Sequence, residues 1–190
     1  MIIYLVGMCC VGKTTIGNLL ANYINYQFYD LDREVEKYYN ITIEQLQKEC
    51  FSMNEFRKKA SVVLDRIFNS SDNIVVAGTP SGLKYAYWNV YKKNKIEKNI
   101  ISIHIYDSFQ NVLDRLTFYD KDSNLINLTL NEDKKRRYLK VIKDDYNYFK
   151  QSYKRADIQL NIQNCQLSKI SNEIIRKIES YNLKSKLHSN

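Results

Sequence analysis

The sequence predicts an α/β fold of three layers, in which a parallel five-stranded sheet is covered by helices on both faces. Short apolar runs alternate along the chain with longer segments whose apolar residues recur at helical spacing. Two of the runs, 73–77 and 100–105, are almost continuously apolar, as is typical of strands buried on both faces. All five glycines lie in the first half of the chain, and four of them flank loops that would follow strands. The chemistry is therefore expected at the carboxyl edge of the sheet.

The first strand leads directly into a glycine loop. The apolar run 2–6 precedes the segment 7–14, which reads G-M-C-C-V-G-K-T, and an amphipathic helix is expected over 14–26. A G-x-x-x-x-G-K-[ST] pattern between a strand and a helix indicates the phosphate-binding loop of P-loop NTPases, because its amide hydrogens and the helix dipole surround phosphate oxygens. The nucleotide-binding residues predicted from this loop are Gly7, Cys10, Val11, Gly12, Lys13, Thr14 and Thr15.

Two side chains of the loop have predicted roles of their own. Lys13 would reach the outer phosphates of ATP and is a predicted catalytic residue, while the Thr14 hydroxyl would bind Mg²⁺. An ordinary glycine turn between a strand and a helix is the alternative interpretation. The context of the motif favours a nucleoside-triphosphate site, with ATP and Mg²⁺ as the expected cofactors.

A second strand, 27–32, ends in two carboxylates. Asp30 and Asp32 are two residues apart, so along a strand both side chains would point to the same face. Asp30 is predicted to hold Mg²⁺ together with Thr14, and Asp32 to meet the acceptor and accept the proton of its hydroxyl. The alternative is that this segment only caps the following helix.

The remaining elements follow from periodicity and capping residues. Thr42 is expected to be an N-cap, and Asp107 or Ser108 another. The expected helices are 33–39, 43–49, 54–68, 84–94, one that follows the cap at Asp107 or Ser108 and runs to residue 116, and 134–153. The buried side of 54–68 is expected to carry Val62, Val63, Leu64 and Ile67. A last strand is expected over 158–162, followed by a C-terminal helix that carries Leu167 to Ile178. Between 117 and 133 the periodicity is lost, which predicts a mobile lid.

Residues 4–67 resemble the shikimate kinase family, which has a small nucleoside-monophosphate-kinase-like fold. The matching features are Gly7-Met8, Gly12-Lys13-Thr14-Thr15-Ile16-Gly17, Phe28-Tyr29-Asp30-Leu31-Asp32, Val35-Glu36, Thr42-Ile43 and Phe56-Arg57. The resemblance implies that Asp32 binds the acceptor hydroxyls and acts as a base, that Asp30 supports Mg²⁺ and that Arg57 binds a substrate carboxylate. Arg115 matches the arginine that this family places on the adenine; a solvent-facing helix residue is the alternative.

The resemblance weakens further along the chain. In the family, the third strand ends in glycines whose backbone approaches the substrate; here the loop is 78–82, in which Pro80 has no amide hydrogen to donate. Thr79 and Ser81 add hydroxyls that a different acceptor would use. The predicted substrate-binding residues are Asp32, Arg57, Gly78, Thr79, Ser81 and Gly82.

Two arginines that the family uses have no counterpart here. The lid segment that carries one of them corresponds to 123–126, and the nearest substitutes are Lys121, Arg136 and Arg137. The second is expected before the last strand, where 146–150 contains none, although Lys150 or Arg155 would compensate. Cys10 stands where the family usually has glycine.

Composition limits the remaining possibilities. The chain has 190 residues, a net charge of +8 and four cysteines without metal-ligand spacing. We expect one cytoplasmic kinase domain over 1–181 (substrate-binding helices about 33–68, lid about 117–133) and a frayed tail over 182–190. The expected partner is a small-molecule acceptor, without nucleic acid or membrane, for a monomer or weak dimer.

The sequence leaves the acceptor and two further functions open. A sugar acid, another polyol or a nucleoside remains possible as acceptor. A nucleotide-binding regulator without transfer activity would retain the phosphate loop and lack the lid arginine. Because 134–137 is basic, a nucleic-acid-handling P-loop protein is also possible, and its binding would weaken steeply with salt.

Overall fold

The computed structural model describes residues 1–120, 124–126 and 129–187, and it contains the predicted five-stranded parallel sheet. The strands are β1 (Ile2–Val6), β2 (Gln27–Asp30), β3 (Ile74–Ala77), β4 (Ile100–Tyr106), β5 (Phe118–Tyr119), β6 (Leu125–Ile126) and β7 (Ile158–Asn161). The helices are α1 (Lys13–Ile24), α2 (Leu31–Tyr39), α3 (Ile43–Glu49), α4 (Met53–Phe68), α5 (Tyr85–Glu97), α6 (Phe109–Asp114), α7 (Glu132–Tyr153) and α8 (Ile170–Leu187).

The strand order β2-β3-β1-β4-β7 places the first strand at the centre of the sheet. β1 pairs in parallel with β3 through Ile2 and Ile74, and with β4 through Val6 and His104. Because all five strands run the same way, the loops after β1, β2 and β3 leave from one edge of the sheet. This edge carries the glycine loop, the carboxylates and the 78–82 loop.

The core has two halves, one on each face of the sheet. Along β1, Ile3 and Leu5 pack with residues of α1 and α8, whereas the alternate residue Tyr4 packs with α4 and α5. Side chains alternate between the two faces of a strand, so a strand buried on both faces is largely apolar. The apolar runs predicted as buried strands are confirmed by this arrangement.

The second strand and the next helix differ from the prediction. β2 ends at Asp30 instead of residue 32, and α2 begins at Leu31 because the Asp30 side chain accepts hydrogen bonds from the amides of Asp32 and Arg33. Asp32 therefore lies in the first turn of a helix.

Two smaller expectations also need correction. Val62, expected on the buried side of α4, is 49% exposed, while its neighbours Val63 and Leu64 are buried. The C-terminal helix continues to Leu187, so the tail expected over 182–190 is helical over 182–187.

The segment expected to form a lid contains a short antiparallel pair, in which Phe118 of β5 is paired with Ile126 of β6. Lys121 and Ser123, to which the lid predictions referred, lie outside the described residues. α7 begins at Glu132 because the Asn131 side chain accepts a hydrogen bond from the Lys134 amide. In the part of the chain that the structure describes, no helix has the length and apolarity needed to cross a membrane.

Candidate active site

The glycine loop follows β1 and ends at the first turn of α1. Gly7 has φ +150°, and a Cβ there would lie 2.3 Å from the Ile105 carbonyl oxygen, so no side chain fits. Gly12, the N-cap of α1, has φ +101°, which lies in the left-handed region that favours glycine. Cys10 adopts φ +56° without being glycine. The loop consequently brings its backbone amides to the positive end of the α1 dipole, where a phosphate is stabilised.

The Lys13 ammonium group lies within this loop. Its Nζ donates hydrogen bonds to the carbonyl oxygens of Gly7, at 3.0 Å, and Met8, at 2.7 Å. Because the surrounding protein limits its hydration, the pKa of Lys13 is lowered from its usual value. A lysine held against the loop is placed to contact the outer phosphates of a nucleotide bound there.

Asp30 and Thr14 form a pair of oxygen ligands beside the loop. The Thr14 hydroxyl donates to Asp30 Oδ2 at 2.6 Å, while Asp30 Oδ1 accepts from the backbone amides of Asp32, at 3.1 Å, and Arg33, at 3.4 Å. Asp30 is thus both the helix cap of the alternative interpretation and a neighbour of the predicted Mg²⁺ ligand. A hydroxyl and a carboxylate this close fit Mg²⁺, which takes few protein oxygens and completes its shell with phosphate and water.

The Asp32 side chain faces a cavity that is open to solvent. Protein around its carboxylate limits hydration, and this, with the negative charge of Asp30, raises the pKa of Asp32 to about 6. The negative charges of the two carboxylates do act on one another, although strand geometry is not the reason: Asp30 ends the strand and Asp32 lies in the first helical turn. The expectation that they lie on one strand face is therefore wrong, and their proximity results from the cap.

A cavity of about 280 Å³ extends from the phosphate loop over α3 and α4. It is lined by Met8, Cys9, Asp32, Ile43, Gln47, Met53, Phe56, Arg57, Thr79, Pro80, Ser81, Tyr87, Ile142, Asp145, Phe149 and Tyr153. Four of the predicted substrate-binding residues, Asp32, Arg57, Thr79 and Ser81, are among them. The hydroxyls of Thr79 and Ser81 lie 3.3 Å apart.

Gly78 and Gly82, the other two predicted substrate-binding residues, do not line this cavity. A Cβ at either position would lie 2.6 Å from the Tyr4 side chain, and the Tyr4 hydroxyl donates to the Gly82 carbonyl at 3.2 Å. The Gly78 amide donates a hydrogen bond to the Leu5 carbonyl oxygen, and the Gly82 amide donates one to the Thr79 carbonyl oxygen. Here the two glycines leave room for a buried tyrosine, a packing role that the sequence pattern could not distinguish from substrate contact.

Arg57 approaches the cavity from α4 with its guanidinium 4.7 Å from the centre of the Tyr85 ring. The two basic residues proposed to compensate for the second arginine lie elsewhere. Arg155 donates to the Leu83 carbonyl at 3.0 Å, and Lys150 bonds to Asn147 at 3.4 Å. Neither lines the cavity, so Arg57 is the single cation among the described residues of its lining.

The other predicted cations also lie outside the cavity. Arg115 forms an ion pair with Asp107 at the end of α6. Arg136 and Arg137 are exposed on α7 and are not among the lining residues. Contact of Arg115 with adenine remains a prediction.

Several lining residues were not singled out from the sequence. Asp145, Phe149 and Tyr153 come from α7, and Tyr87 comes from α5. The aromatic members sit in helices at positions that periodicity assigns to the core, and Asp145 lies in a charged stretch that is typical of a solvated helix face. Only the packing of α5 and α7 against the loops reveals them.

Comparisons with known proteins agree with this geometry. The sequence model of the shikimate kinase family matches residues 9–179. A shikimate kinase from Caldicellulosiruptor saccharolyticus is 32% identical over 159 residues, which cover 84% of each chain, and one from a Sulfurihydrogenibium species is 28% identical over 177 residues, covering 93% of this chain and 97% of the relative. The crystal structure of shikimate kinase from Aquifex aeolicus superposes with a TM-score of 0.73 at 26% identity, covering 96% of this chain and 99% of that one.

The family match includes the phosphate loop from Cys9 onward, the carboxylate pair and the helices around the cavity, and the Sulfurihydrogenibium relative is covered almost from end to end. The P-loop fold, with its parallel sheet between two helical layers, is confirmed by the structural likeness. The chain belongs to the shikimate kinase family and is a phosphotransferase that uses ATP with Mg²⁺ to phosphorylate a hydroxyl group of a small molecule.

Proposed function

We propose that the protein transfers the γ-phosphoryl group of ATP to a hydroxyl of shikimate or a closely similar hydroxylated acid. The observation that carries this proposal is the cavity, which places Asp32 and Arg57 in one space that opens onto Met8 and Cys9 of the phosphate loop. A carboxylate of the acceptor would pair with the Arg57 guanidinium. Its reacting hydroxyl would then lie between Asp32 and the nucleotide.

The roles of the nucleotide-side residues follow from their positions. The loop amides and the Lys13 ammonium hold the β- and γ-phosphates in place, and Lys13 offsets the charge that develops during transfer. Thr14 and Asp30 would hold Mg²⁺, which would neutralise charge on the phosphates.

On the acceptor side, Asp32 orients the hydroxyl and accepts its proton as the oxygen attacks phosphorus. A pKa of about 6 leaves this carboxylate ionised at neutral pH yet closer to the operating pH than an ordinary aspartate, which favours proton transfer. Most of the catalysis would come from positioning.

We also propose that residues 1–181 act as one kinase domain in the cytoplasm, as a monomer or weak dimer without nucleic-acid partners. Within it, 33–68 would bind the acceptor, which Ile43, Met53 and Phe56 in the cavity wall support, and 117–133 would form the lid.

The test is release of ADP from Mg²⁺-ATP in the presence of shikimate, with a blank that lacks acceptor. We expect acceptor-dependent release by the wild type, and a fall of about a hundredfold or more in Lys13→Met, which also weakens ATP binding. ADP release that is the same with and without shikimate would contradict the proposal.

A further inference from the structure

Arg57, which the proposed function assigns to the acceptor carboxylate, has no acidic partner in the structure. The residue is half-buried in the cavity wall, and among the described residues no ion pair and no hydrogen bond holds its guanidinium. An arginine side chain loses much rotamer freedom when a ligand fixes it, and this loss weakens binding. A contact that holds the guanidinium in place beforehand therefore strengthens binding of the acceptor.

The contact that the structure gives this guanidinium is with the ring of Tyr85. The Arg57 Cζ atom lies over the ring, 4.7 Å from its centroid. A cation and an aromatic face attract one another within about 6 Å. Because this attraction uses the face of the ring and no hydrogen-bond acceptor, the guanidinium keeps its N–H donors for a carboxylate.

The Tyr85 side chain is in turn held by α7. Its hydroxyl is hydrogen-bonded to the Tyr148 hydroxyl, and the neighbouring Lys84 Nζ lies 3.7 Å from the centroid of the Tyr148 ring. Lys84 also lies 4.8 Å from the centroid of the Tyr85 ring. Tyr148 belongs to the helix that contributes Asp145 and Phe149 to the cavity lining. Tyr85 thus connects the arginine of α4 with the α7 wall of the cavity.

The backbone at position 85 does not account for a tyrosine there. Tyr85 has φ +54°, in the left-handed region that bulky residues rarely adopt. Glycine or asparagine would adopt this conformation at lower cost. Strained residues persist where the surrounding structure imposes the strain, and they are concentrated at binding sites and active sites. The strain therefore favours a role for the side chain.

We propose that Tyr85 is a positioning residue for the acceptor, because its ring holds the Arg57 guanidinium in the cavity wall where the acceptor carboxylate would bind. The inference rests on the proposed function, since it explains how one residue of that site is oriented. Tyr85 is not among the described residues that line the cavity, so it acts through Arg57 and not by contact with the acceptor.

The test is a double-mutant cycle between Tyr85 and Arg57, measured as kcat/KM for shikimate in ADP release with saturating Mg²⁺-ATP. Tyr85→Leu removes the ring and is made both in the wild type and together with Arg57→Ala. Tyr85→Phe keeps the ring and loses only the hydroxyl. Trp88→Leu is the matched control, because Trp88 lies on the same helix and its ring faces Arg155, at 4.9 Å, which does not line the cavity.

We expect Tyr85→Leu to lower kcat/KM for shikimate about three- to tenfold through a higher KM, as loss of a partly buried cation–π contact should. Its kcat and its KM for ATP should stay near those of the wild type. Tyr85→Phe should remain within about twofold of the wild type because the ring is retained. Together with Arg57→Ala, Tyr85→Leu should have no further effect, and Trp88→Leu should leave KM for shikimate unchanged.

Four outcomes in an active wild type would overturn this inference alone. They are an unchanged KM for shikimate in Tyr85→Leu, an equal rise in Tyr85→Phe, an effect that persists with Arg57→Ala, and an equal rise in Trp88→Leu. If Tyr85→Leu does not fold, Tyr85→Asn replaces it with the same expectations, since asparagine tolerates a positive φ. A wild type that does not turn over shikimate would overturn the proposed function and this inference with it.

Discussion

At the scale of a single residue, two features of its surroundings disfavour ionisation of the Asp32 carboxylate. Its carboxylate is expected to contact the acceptor, which requires it to give up part of its hydration, and it lies near Asp30, which disfavours its ionisation. The residue type and its place after a strand were predictable from the sequence. Its perturbed pKa was not, because that depends on the cavity that α4, α5 and α7 build around it.

The first prediction concerns the pH dependence of turnover. If Asp32 is the base, the rate should fall as pH drops through about 6, since its protonated form cannot accept the hydroxyl proton. Asp30→Asn removes the neighbouring negative charge and should move this limb to lower pH in whatever activity remains. The charges of Lys13, Glu36 and Glu44 also act on the pKa of Asp32, and the substitution leaves these residues in place. The measurement is a pH–rate profile, and a rate that stays flat from about pH 5 to 8 would exclude Asp32 as the base.

Replacing Asp32 by asparagine should raise the stability of the fold and lower its kinase activity. The pKa is raised on folding, so the contribution of Asp32 to stability is full below its ordinary value of 3.8 and is lost as pH rises through about 6. After allowance for the solvent around this side chain, Asp32→Asn should stabilise the fold at pH 8 by about 1 kcal/mol, or roughly 2–4 °C in Tm.

The Tm difference between Asp32→Asn and the wild type should shrink towards about pH 4. Turnover should fall by about 10²–10⁴ while ATP binding, measured by calorimetry, persists. Loss of ATP binding together with turnover would mean that Asp32 supports the nucleotide site instead.

At the scale of the elements, helices and strands were predicted from the sequence more completely than individual side-chain contacts were. The N-cap predicted at Thr42 was confirmed, as were the buried runs of β3 and β4. Local signals suffice there, because caps and apolar runs are properties of a few neighbouring residues. The end of β2 was wrong by two residues because Asp30 resembles strand and cap equally well in the sequence. The hydrogen bonds that its side chain accepts from the α2 amides make Asp30 the N-cap, so the strand ends there.

Asp30 caps α2 and is also the proposed Mg²⁺ ligand, and substitution can separate the observed role from the proposed one. In Asp30→Asn the side-chain oxygen still caps α2, so Tm should change little, whereas the apparent affinity for Mg²⁺ should fall about tenfold. Asp30→Ala loses the cap as well and should cost about 1 kcal/mol. The measurements are thermal unfolding and Mg²⁺ titration of the kinase rate. Identical Mg²⁺ dependence in Asp30→Asn and the wild type would leave Asp30 as a cap only.

At the scale of the whole molecule, Asp157 joins elements that are distant in the chain. Its carboxylate accepts hydrogen bonds from Lys95, Tyr91, Ser102 and Tyr181, which come from α5, β4 and α8. Nothing in the sequence marked this residue, because its partners lie up to 66 residues away and meet only in the folded chain. The same limit applies to the cavity, whose α7 residues are placed by tertiary packing.

Asp157→Asn should destabilise the fold without affecting the site. Burial alone would raise the pKa of Asp157, but the hydrogen bonds from Lys95, Tyr91 and Ser102 lower it below its usual value. Its contribution to stability is therefore present above the unfolded value and is lost as pH falls through the folded one. At pH 7 the substitution should cost about 2 kcal/mol in urea unfolding.

The cost of Asp157→Asn should diminish in acid, and KM for both substrates should stay unchanged at about 20 °C. An equal cost at about pH 3 and pH 7 would contradict the charge-based explanation.

The central claim is that the phosphate loop, the carboxylate pair and the cavity form one site for phosphoryl transfer. It is tested most directly by a single turnover with ATP labelled at the γ-phosphate, enzyme in excess and shikimate present. We predict that the label appears in the acceptor, that it does so only with Mg²⁺, and that it stays in ATP when Asp32 is replaced by asparagine. Label that passes to inorganic phosphate alone, or that remains in ATP with the wild type, would contradict this account.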